Sequence, residues 1–533
     1  MQKAYWLSAR TYLFLNGERK AITITMGEIS ERYEALFRLR SLTVMEHPIL
    51  GSLHMDFCKG DIYPLGVYTS VIIGANGIGK SCLLRVIAEV FCLLENLHEE
   101  KEYAQLRYFF KIEYVSHWEE LLFSNIRKML PNGFRSRRYE QFVFVKNGTD
   151  VDAKSMILPK RVIASSTTMM DKYVAKSTEM YRYKGLRSEK SPSTTGTRTL
   201  VRKTVESLLG SLHEKYGFRK ELCGLLEQLG LQPRLELAYS LRYKQQFVKE
   251  GISRFELVEL FENQEGHFGK RKTMLWGTHN FNHIKEQEPW LLDNAAAFLD
   301  RLARRGFDDG RNMLWYDLLS GDERVVQDRE ALKVLSQLDL LSYPTLRVWK
   351  REEAYEFGQS SSGESSLLCQ MVGIMSDIEP NSLVLIDEPE ASAHPNWQIN
   401  YIAWLKRIFE RYFNCHFLIS THSHFMLTDL HPETSDIVAL EKDVEGRLKD
   451  VSEGVNTFNW TVDDILYRVF HVRNTRNYVL EGKTIELYQM VSNRSEDKEG
   501  IMGLIGELSR YEINLDDPLR KLLITAREYV ESI

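Results

Sequence analysis

The residues best suited to chemistry form a glycine-rich stretch near the start of the chain. Residues 74–81 read GANGIGKS, follow the apolar run at 71–73 and precede a helical pattern that begins at Cys82. The glycines let successive backbone N–H groups curl around an anion, and the following helix directs the positive end of its dipole at the same point. A lysine and a hydroxyl at the last two positions suit phosphates and Mg²⁺. The stretch therefore predicts a site for a nucleoside triphosphate.

The contacts expected of this loop are divided among its residues. Lys80 would supply a mobile positive charge to the β- and γ-phosphates, and Ser81 would place its hydroxyl on Mg²⁺. A glycine turn can precede a helix by chance, but the complete GxxxxGKS pattern after a strand is specific. The predicted cofactors are therefore a nucleoside triphosphate and Mg²⁺. The residues expected to contact the nucleotide are Gly74, Ala75, Asn76, Gly77, Ile78, Gly79, Lys80, Ser81 and Cys82.

A pair of acids follows a second apolar run. Residues 383–386 are continuously apolar, which predicts a central parallel strand covered on both faces. Ligands of such sheets bind beyond the carboxyl ends of the strands, where this chain places Asp387 and Glu388. Asp387 is expected in the Mg²⁺ shell, directly or through water. Glu388, which points to the other side, is expected to orient and deprotonate the attacking water.

Two polar clusters complete the candidate site. The sequence SSSGE at 360–364 precedes an apolar helix and predicts an anion site, although such a sequence alone is more often a helix cap. Its expected ligand-binding residues are Ser361, Ser362, Gly363 and Glu364. Downstream, the apolar strand pattern at 415–420 ends in Thr-His-Ser. Its histidine, His422, is expected to sense the γ-phosphate and to be the second catalytic residue beside Glu388.

Regular elements can be assigned around these residues. Residues 37–44 and 52–57 alternate apolar and polar positions, which predicts an antiparallel layer beside the nucleotide-binding sheet. The middle section mixes strand and helix patterns without a sustained heptad, so a compact insertion is expected. The predicted class is α/β, a mixed sheet with helices, a helical insertion and a helical C-terminal region. Four parts are expected. Residues 1–99 form a lobe with the phosphate loop, and residues 100–357 form the insertion. Residues 358–450 form a second lobe with the acids, and residues 451–533 form the helical C-terminal region.

The charge distribution bears on nucleic-acid binding. The 533-residue chain has a net charge of −5, so any contact to nucleic acid would have to come from a local basic patch. The stretch from Arg182 to Lys203 holds seven basic residues against the single acid Glu189, and it is rich in Ser, Thr and Gly. Two interpretations remain open, a flexible loop that contacts nucleic acid and a solvated, poorly ordered loop.

Cysteine usage and hydropathy indicate the expected compartment. The six cysteines have neither a CxxC pair nor a metal-binding spacing, which is typical of reduced, buried thiols. No apolar run is long enough to span a membrane. The first residues, MQKAYWLSAR, lack the apolar core of a signal peptide. A cytoplasmic location without membrane contact is therefore expected.

The order of the four motifs resembles that of the ABC-type ATPases, and the DEPEASAHP and ISTHS forms resemble the non-transporter RecF/SMC-type branch. The resemblance implies an ABC-type P-loop ATPase head that hydrolyses ATP, with two heads enclosing two nucleotides in a homodimer or higher homo-oligomer. Ser362 and Gly363 of one head would then face the γ-phosphate held by Lys80 of the other. The family's glutamine loop has no clear counterpart. Residues 165–168, which read SSTT, are the best match for its position and contain no glutamine.

Three further features resemble, more loosely, the ATPase subunits of bacterial anti-phage systems such as the Septu PtuA-type proteins. They are the Ser/Thr stretch before Asp171, the string YRYKGLR at 181–187, and the helical tail after Trp460. This resemblance implies control of a bound nuclease, of the HNH type, that acts on invading nucleic acid. A RecF-like DNA-repair ATPase and an ATP-locked assembly scaffold with little turnover remain as alternatives.

A nuclease site within the chain itself is not expected. The OLD nucleases share this kind of head but carry a C-terminal Toprim domain, and no clustered acidic metal site follows the THS motif. The string THNFNH at 278–283 looks like a metal cluster only superficially, because it has no second ligand set, and it is expected to be a loop.

The tail carries three amphipathic stripes, which begin near residues 462, 501 and 519. Such stripes most often pack on their own domain. If one stripe instead docks a partner, Leu519, Leu522 and Leu523 are expected to form it, because they lie nearest the free end.

Overall fold

The computed structural model describes residues 12–15, 18–21, 36–58, 66–126, 142–168, 171–187, 197–215, 217–241, 252–262, 274–304, 313–321, 323–338, 340–359, 362–412, 414–452, 456–470, 478–510 and 517–532. The strands along these residues are β1 Tyr12–Leu15, β2 Glu18–Ala21, β3 Phe37–His47, β4 Gly51–Asp56, β5 Tyr68–Gly74, β6 Phe109–Ser116, β7 Glu119–Ser124, β8 Val143–Lys146, β9 Thr149–Asp150, β10 Val162–Ser166, β11 Tyr181–Lys184, β12 Leu235–Ser240, β13 Met313–Asp317, β14 Thr345–Lys350, β15 Glu353–Glu356, β16 Leu383–Asp387, β17 His416–Ser420, β18 Ser435–Lys442 and β19 Leu448–Asp450.

The α-helices of the same residues are α1 Lys80–His98, α2 Thr197–Glu214, α3 Phe218–Gln228, α4 Arg254–Glu262, α5 Met274–Gln287, α6 Trp290–Arg304, α7 Arg324–Gln337, α8 Ser362–Asp377, α9 Pro395–Ile408, α10 Val462–Arg468, α11 Tyr478–Ser492, α12 Lys498–Leu508 and α13 Pro518–Ser532. None of these helices is both long and apolar enough to cross a membrane. The chain divides into two compact units, residues 1–459 and 460–533.

A seven-stranded sheet carries the phosphate loop, the acid pair and the THS motif at the carboxyl ends of its strands. Its strand order is β11-β10-β16-β17-β5-β18-β19, and every neighbouring pair is parallel except β18 with β19. One strand, β17, separates the strand of the phosphate loop from the strand of the acids. The register places Ser166, Asp387, Ser420 and Ile72 side by side across four strands. The carboxyl ends of these strands therefore converge, as the apolar runs predict.

Helices cover both faces of this sheet. The buried apolar side of α1 shares a core with Leu383, Leu385 and Tyr183. Lys184, the next residue along β11, instead donates to Ser376 of α8 at 3.1 Å. Because successive side chains of a strand point to opposite faces, α1 and α8 lie on opposite sides of the sheet.

The antiparallel layer predicted beside this sheet is present. Six strands in the order β4-β3-β6-β7-β8-β9 form it, and the face of β3 and β6 packs on α1, where Phe37, Phe91 and Tyr114 meet with ring centroids 5.4–5.8 Å apart. The layer is fixed to the parallel sheet by a buried arginine. Arg38 donates to the carbonyl oxygens of Cys415 at 3.1 Å and Gly66 at 2.8 Å.

A buried histidine makes the second connection between these two sheets. Nδ1 of His416 accepts a hydrogen bond from the backbone N–H of Leu39 at 3.0 Å, and its Nε2 lies 2.8 Å from Oγ of Ser70. Since Nδ1 is an acceptor, the proton of the neutral ring is on Nε2, which donates to Ser70. Burial and the nearby Arg38 lower the pKa of His416 well below its usual value.

Because His416 is buried in its neutral form, we expect the free energy of unfolding to decrease in mild acid. The unfolded histidine takes up a proton with a pKa near 6.5, whereas the folded one does not, so its contribution is complete above pH 6.5 and is lost as the pH falls below it. Between pH 7.5 and 5.5 the loss is about 1.4 kcal/mol. His416→Asn keeps an acceptor for Leu39 and cannot titrate. Urea unfolding at the two pH values should therefore show a smaller decrease for the variant, and equal decreases would contradict the assignment.

Part of the segment between the two lobes forms an insertion, and another part contributes two strands to the seven-stranded sheet. Strands β10 and β11 belong to the seven-stranded sheet. Helices α2 to α7 alternate along the chain with the strands of a four-stranded antiparallel sheet of order β13-β12-β14-β15. The α/β class, with helices in the insertion and in the C-terminal region, is thus confirmed. The exact domain boundaries stay a prediction.

The THNFNH string is not a loop, so that expectation was wrong. It lies inside α5, whose Phe281 and Ile284 are buried. Phe281 stacks on Phe261 of α4 with ring centroids 4.8 Å apart. The apolar residues at a spacing of three decide the structure, because they form one face of a helix. Among the described residues no group of three or more His, Cys, Asp and Glu side chains could hold a metal ion.

The basic stretch at 182–203 is also not a loop where the structure describes it. Its first residues lie in β11 and its last ones in α2, while its central part lies outside the described residues. Lys184 forms an ion pair with Asp377, and Arg187 forms one with Asp171 at 2.7 Å. The described ends of the stretch are therefore not loops, because these cations hold neighbouring elements together. Contact of the stretch with nucleic acid stays a prediction.

The C-terminal unit has a core of its own. The apolar sides of α11, α12 and α13 enclose a cluster made of Leu487, Ile501, Ile505, Leu508, Leu519, Leu523 and Ala526. The expectation of a free docking stripe at Leu519 and Leu523 was wrong, because these side chains are only 5% and 6% exposed. Three short amphipathic helices cover one another's stripes, so aspartate at either position would disrupt the unit itself.

All six cysteines are free thiols, as the sequence predicts, and four of them are buried. Burial raises the pKa of the Cys369 and Cys415 thiols to about 12. These thiols are therefore protonated and unreactive at neutral pH.

Candidate nucleotide-binding site

The phosphate loop has the backbone that its glycines imply. Gly74, Gly77 and Gly79 have φ values of 151°, 72° and 117°. A Cβ at Gly74 would lie 2.6 Å from the carbonyl oxygen of Leu440, so only glycine fits there. Residues 75–77 are exposed, whereas Ile78 anchors the loop in the core. No side chain caps the start of α1, which leaves its first N–H groups available to an anion.

Lys80 lies at the centre of the site and is only 4% exposed. Its Nζ donates to the carbonyl oxygen of Gly74 at 2.9 Å and lies 2.7 Å from Nε2 of His422. Burial lowers the pKa of Lys80 to about 8, against the opposing effect of Glu388 and the other nearby carboxylates. At pH 7 the side chain is therefore mostly a cation held beside the phosphate loop.

Asp387 and Ser81 form the part of the site that suits a metal. Asp387 lies on the same face of β16 as Leu383 and Leu385, which is the face covered by α1, and it accepts hydrogen bonds from Oγ of Ser420 and from the Ser81 hydroxyl. Burial raises the pKa of its carboxyl, and both hydroxyls oppose that shift. Mg²⁺ is usually held by one or two protein oxygens together with phosphate oxygens. The Ser81 hydroxyl and the Asp387 carboxylate fit that requirement.

Glu388 has a different environment from the aspartate next to it. Its φ of 47° is rare for a residue with a side chain, and it turns the chain sharply at the end of β16. The backbone N–H of Glu388 donates to the carbonyl oxygen of Ser420 at 3.0 Å. Its side chain keeps 35% exposure and places Oε1 3.6 Å from Nε2 of His422. A carboxylate that is open to solvent beside the phosphate loop suits a general base.

His422 is held between the lysine and this carboxylate. Burial and Lys80 lower the pKa of the imidazole, and Glu388 opposes the shift. A neutral ring at pH 7 can accept from the ammonium of Lys80, which agrees with the 2.7 Å distance. The backbone N–H of His422 donates to Oε1 of Glu390 at 2.5 Å. Sequence reasoning missed Glu390, although the DEPE string contains it.

The signature residues lie elsewhere. Ser361 is outside the described residues, and Ser362 begins α8. A Cβ at Gly363 would lie 2.4 Å from the carbonyl oxygen of Ser392, so the start of α8 packs tightly on the chain that follows the acids. Glu364 forms an ion pair with Lys350 at 3.3 Å. The structure thus brings Lys80, Ser81, Asp387, Glu388 and His422 together, and it places the signature helix on the other face of the sheet.

The proposed substitute for the glutamine loop adjoins the acids. Ser166 lies in register with Asp387. Oγ1 of Thr167 donates to the carbonyl oxygen of Glu388 at 3.3 Å. Hydroxyls, and no glutamine, therefore stand at the end of β10.

Comparisons with known proteins gave matches to solved structures only. No family profile matches the chain, and no curated protein does. The SMC head domain from Thermotoga maritima is similar with a TM-score of 0.32 and 11% identity, over 78% of this chain and 100% of that chain. The SMC head with an extended coiled coil, bound to the C-terminal domain of ScpA and derived from Pyrococcus furiosus, is similar with a TM-score of 0.31 and 10% identity, over 82% of this chain and 100% of that chain. An SMC head bound to the C-winged helix domain of ScpA is similar with a TM-score of 0.29 and 12% identity, over 78% of this chain and 96% of that chain. The strand order and register of this chain stand independently of these similarities.

Proposed function

We propose that the chain is an ABC-type ATPase head that binds ATP with Mg²⁺ and hydrolyses it. The observation that carries this proposal is the convergence of Lys80, Ser81, Asp387, Glu388 and His422 at one edge of the parallel sheet. Each supplies one requirement of phosphoryl transfer to water, namely charge neutralisation, metal binding, a base and a γ-phosphate contact.

The residues divide the chemistry as follows. Lys80 and the free N–H groups of α1 bind the phosphates, and Ser81 and Asp387 hold the metal. Glu388 orients a water molecule and takes its proton as the water attacks. His422 contacts the γ-phosphate and keeps the attacked group in place. Mg²⁺, when bound, neutralises charge on the β- and γ-phosphates.

Removal of the lysine tests nucleotide binding. Lys80→Ala is expected to weaken ATP binding about 10- to 100-fold, because a charge-assisted hydrogen bond contributes about 1.5–3 kcal/mol. Titration with a fluorescent ATP analogue measures the effect. Lys101→Ala, which changes an exposed lysine paired with Glu99, is the matched control and should bind normally. Equal affinities of the Lys80 variant and the wild type would refute this site.

We also propose that two copies of the chain enclose the nucleotides between them. The support is the position of the signature helix, because α8 lies across the sheet from α1 and is not placed over its own phosphate loop. In a pair of heads, the start of α8 in one copy would face the phosphates bound by the other. A homodimer, or a higher oligomer built from it, is the predicted assembly.

For the biological role we propose that ATP controls a bound nuclease, of the HNH type, in defence against phage. This role is supported by the resemblance of residues 181–187 and of the helical tail to the ATPases of anti-phage systems. The independent core of the C-terminal unit supports a separable attachment module. Co-purification of the full chain with the product of the neighbouring gene is the test, and a partner that belongs to DNA repair would replace this role with the RecF-like one.

A further inference from the structure

We propose that Glu390 is the positioning residue of the switch histidine, and that it holds His422 against the γ-phosphate without touching the nucleotide. This inference rests on the proposed ATPase function and deepens it. It concerns a residue that neither the phosphate loop nor the acid pair explains. Glu390 lies two residues after Glu388, in the turn that follows β16.

The contact that carries the inference joins two loops. Oε1 of Glu390 accepts a hydrogen bond from the backbone N–H of His422 at 2.5 Å. A charged acceptor makes such a bond shorter and roughly twice as strong as a neutral one. The carboxylate therefore fixes the backbone at the residue whose side chain meets Lys80 and Glu388.

The turn that carries Glu390 is itself fixed. The backbone N–H of Ala391 donates to the carbonyl oxygen of Glu388 at 3.1 Å, and that of Ala393 donates to the carbonyl oxygen of Glu390 at 2.9 Å. Behind the turn, Nε2 of Gln398 donates to the carbonyl oxygen of Ala393 at 2.8 Å, and its Oε1 accepts from the Ser423 hydroxyl at 2.6 Å. The acid turn and the histidine loop are thus joined on both sides of His422, and the side chain of Glu390 has a defined direction.

The second carboxylate oxygen argues against a purely structural role. Oε2 of Glu390 is buried and has no hydrogen-bond partner within the part of the chain that the structure describes. An unpartnered buried acceptor costs stability, and a neutral side chain could hold one N–H without that cost. The negative charge also lies near the ammonium of Lys80. A carboxylate at this position is therefore explained by the site that it supports.

The test is a double-mutant cycle that joins Glu390 to His422. Glu390→Ala should lower kcat at least about 10-fold, because small displacements of a catalytic group have effects of this size or larger. Glu390→Gln keeps an acceptor oxygen but loses the charge, so it should restore part of the rate. In a His422→Ala background the same Glu390→Ala change should cost less than about 2-fold, since the group through which it acts is gone.

Nucleotide binding gives a second readout that does not depend on turnover. Calorimetry should show that Glu390→Ala weakens ATPγS binding and leaves ADP binding unchanged, because only the γ-phosphate meets His422. A variant that is merely destabilised would lose affinity for both nucleotides. If Glu390→Ala does not fold in a thermal melt, Glu390→Met, which keeps the length of the side chain, takes its place.

The outcomes separate this inference from the proposed function. Equal rate losses in both backgrounds, or equal losses of ATPγS and ADP affinity, would overturn the role of Glu390 while the ATPase stands. A wild-type chain that binds both nucleotides and releases no phosphate would overturn the hydrolysis proposal, and the ATPγS and ADP comparison would still decide the inference. A wild-type chain that binds neither nucleotide would overturn both.

Discussion

Glu388→Gln is expected to bind ATP with nearly wild-type affinity and to hydrolyse it about 10²–10⁴-fold more slowly, which is the usual contribution of a general base. The amide preserves the shape of the side chain and removes the group that takes the proton from water. Its neighbour Asp387 is buried and hydrogen-bonded to two hydroxyls, so it cannot replace the base. Phosphate release at saturating ATP, together with a nucleotide titration, measures both parts.

The control for this variant is Glu445→Gln, which makes the same change at a glutamate that is 62% exposed and paired with Arg447. It should hydrolyse ATP normally. Phosphate release near the wild-type rate in Glu388→Gln would remove Glu388 from the mechanism. Very slow release by the wild type, unchanged in the variant, would favour the ATP-locked scaffold.

Ser362→Arg is expected to abolish the ATP-dependent dimer and to reduce hydrolysis about 10²-fold, the typical loss of one donor to a transition state. Ser362 is the first residue of α8, and the adjoining Gly363 packs closely on the carbonyl oxygen of Ser392. A long cationic side chain there would block approach of the second head. Binding of ATP to the single chain should persist, because the phosphate loop lies on the other face of the sheet.

Light scattering with ATP in the Glu388→Gln background measures dimer formation, since slow hydrolysis prolongs the complex. Ser320→Arg, the same exchange at an exposed turn of the insertion, should dimerise normally. A Ser362→Arg protein that still forms the ATP-dependent dimer would refute the sandwich of two heads.

The phosphate loop and the acid pair could be predicted from the sequence because each is a local pattern at the end of an apolar strand. Parallel strands bring such ends to one edge, so Lys80, Asp387 and His422 meet although they are far apart in the chain. The role of Glu390 could not be predicted in this way. It depends on one hydrogen bond to a backbone N–H that is 32 residues away, and no periodicity reports such a bond.

Two errors have a common physical origin, which is the weight given to polar or terminal character over apolar spacing. The THNFNH string is polar, but Phe281 and Ile284 fall on one helical face and find a partner in Phe261. Leu519 and Leu523 were singled out as the docking stripe because they lie near the end of the chain. An amphipathic stripe in the sequence shows that the apolar face of its helix will be buried. Only the structure shows that α11 and α12 bury the apolar face of α13.

The most direct test of the central claim is the release of phosphate from ATP by the purified full-length chain, measured with and without Mg²⁺. We predict steady release that requires Mg²⁺, that is lost in Lys80→Ala and that falls at least about 100-fold in Glu388→Gln. Release that persists without Mg²⁺, or that is unchanged in Lys80→Ala, would contradict the assignment of these residues to one ATP site.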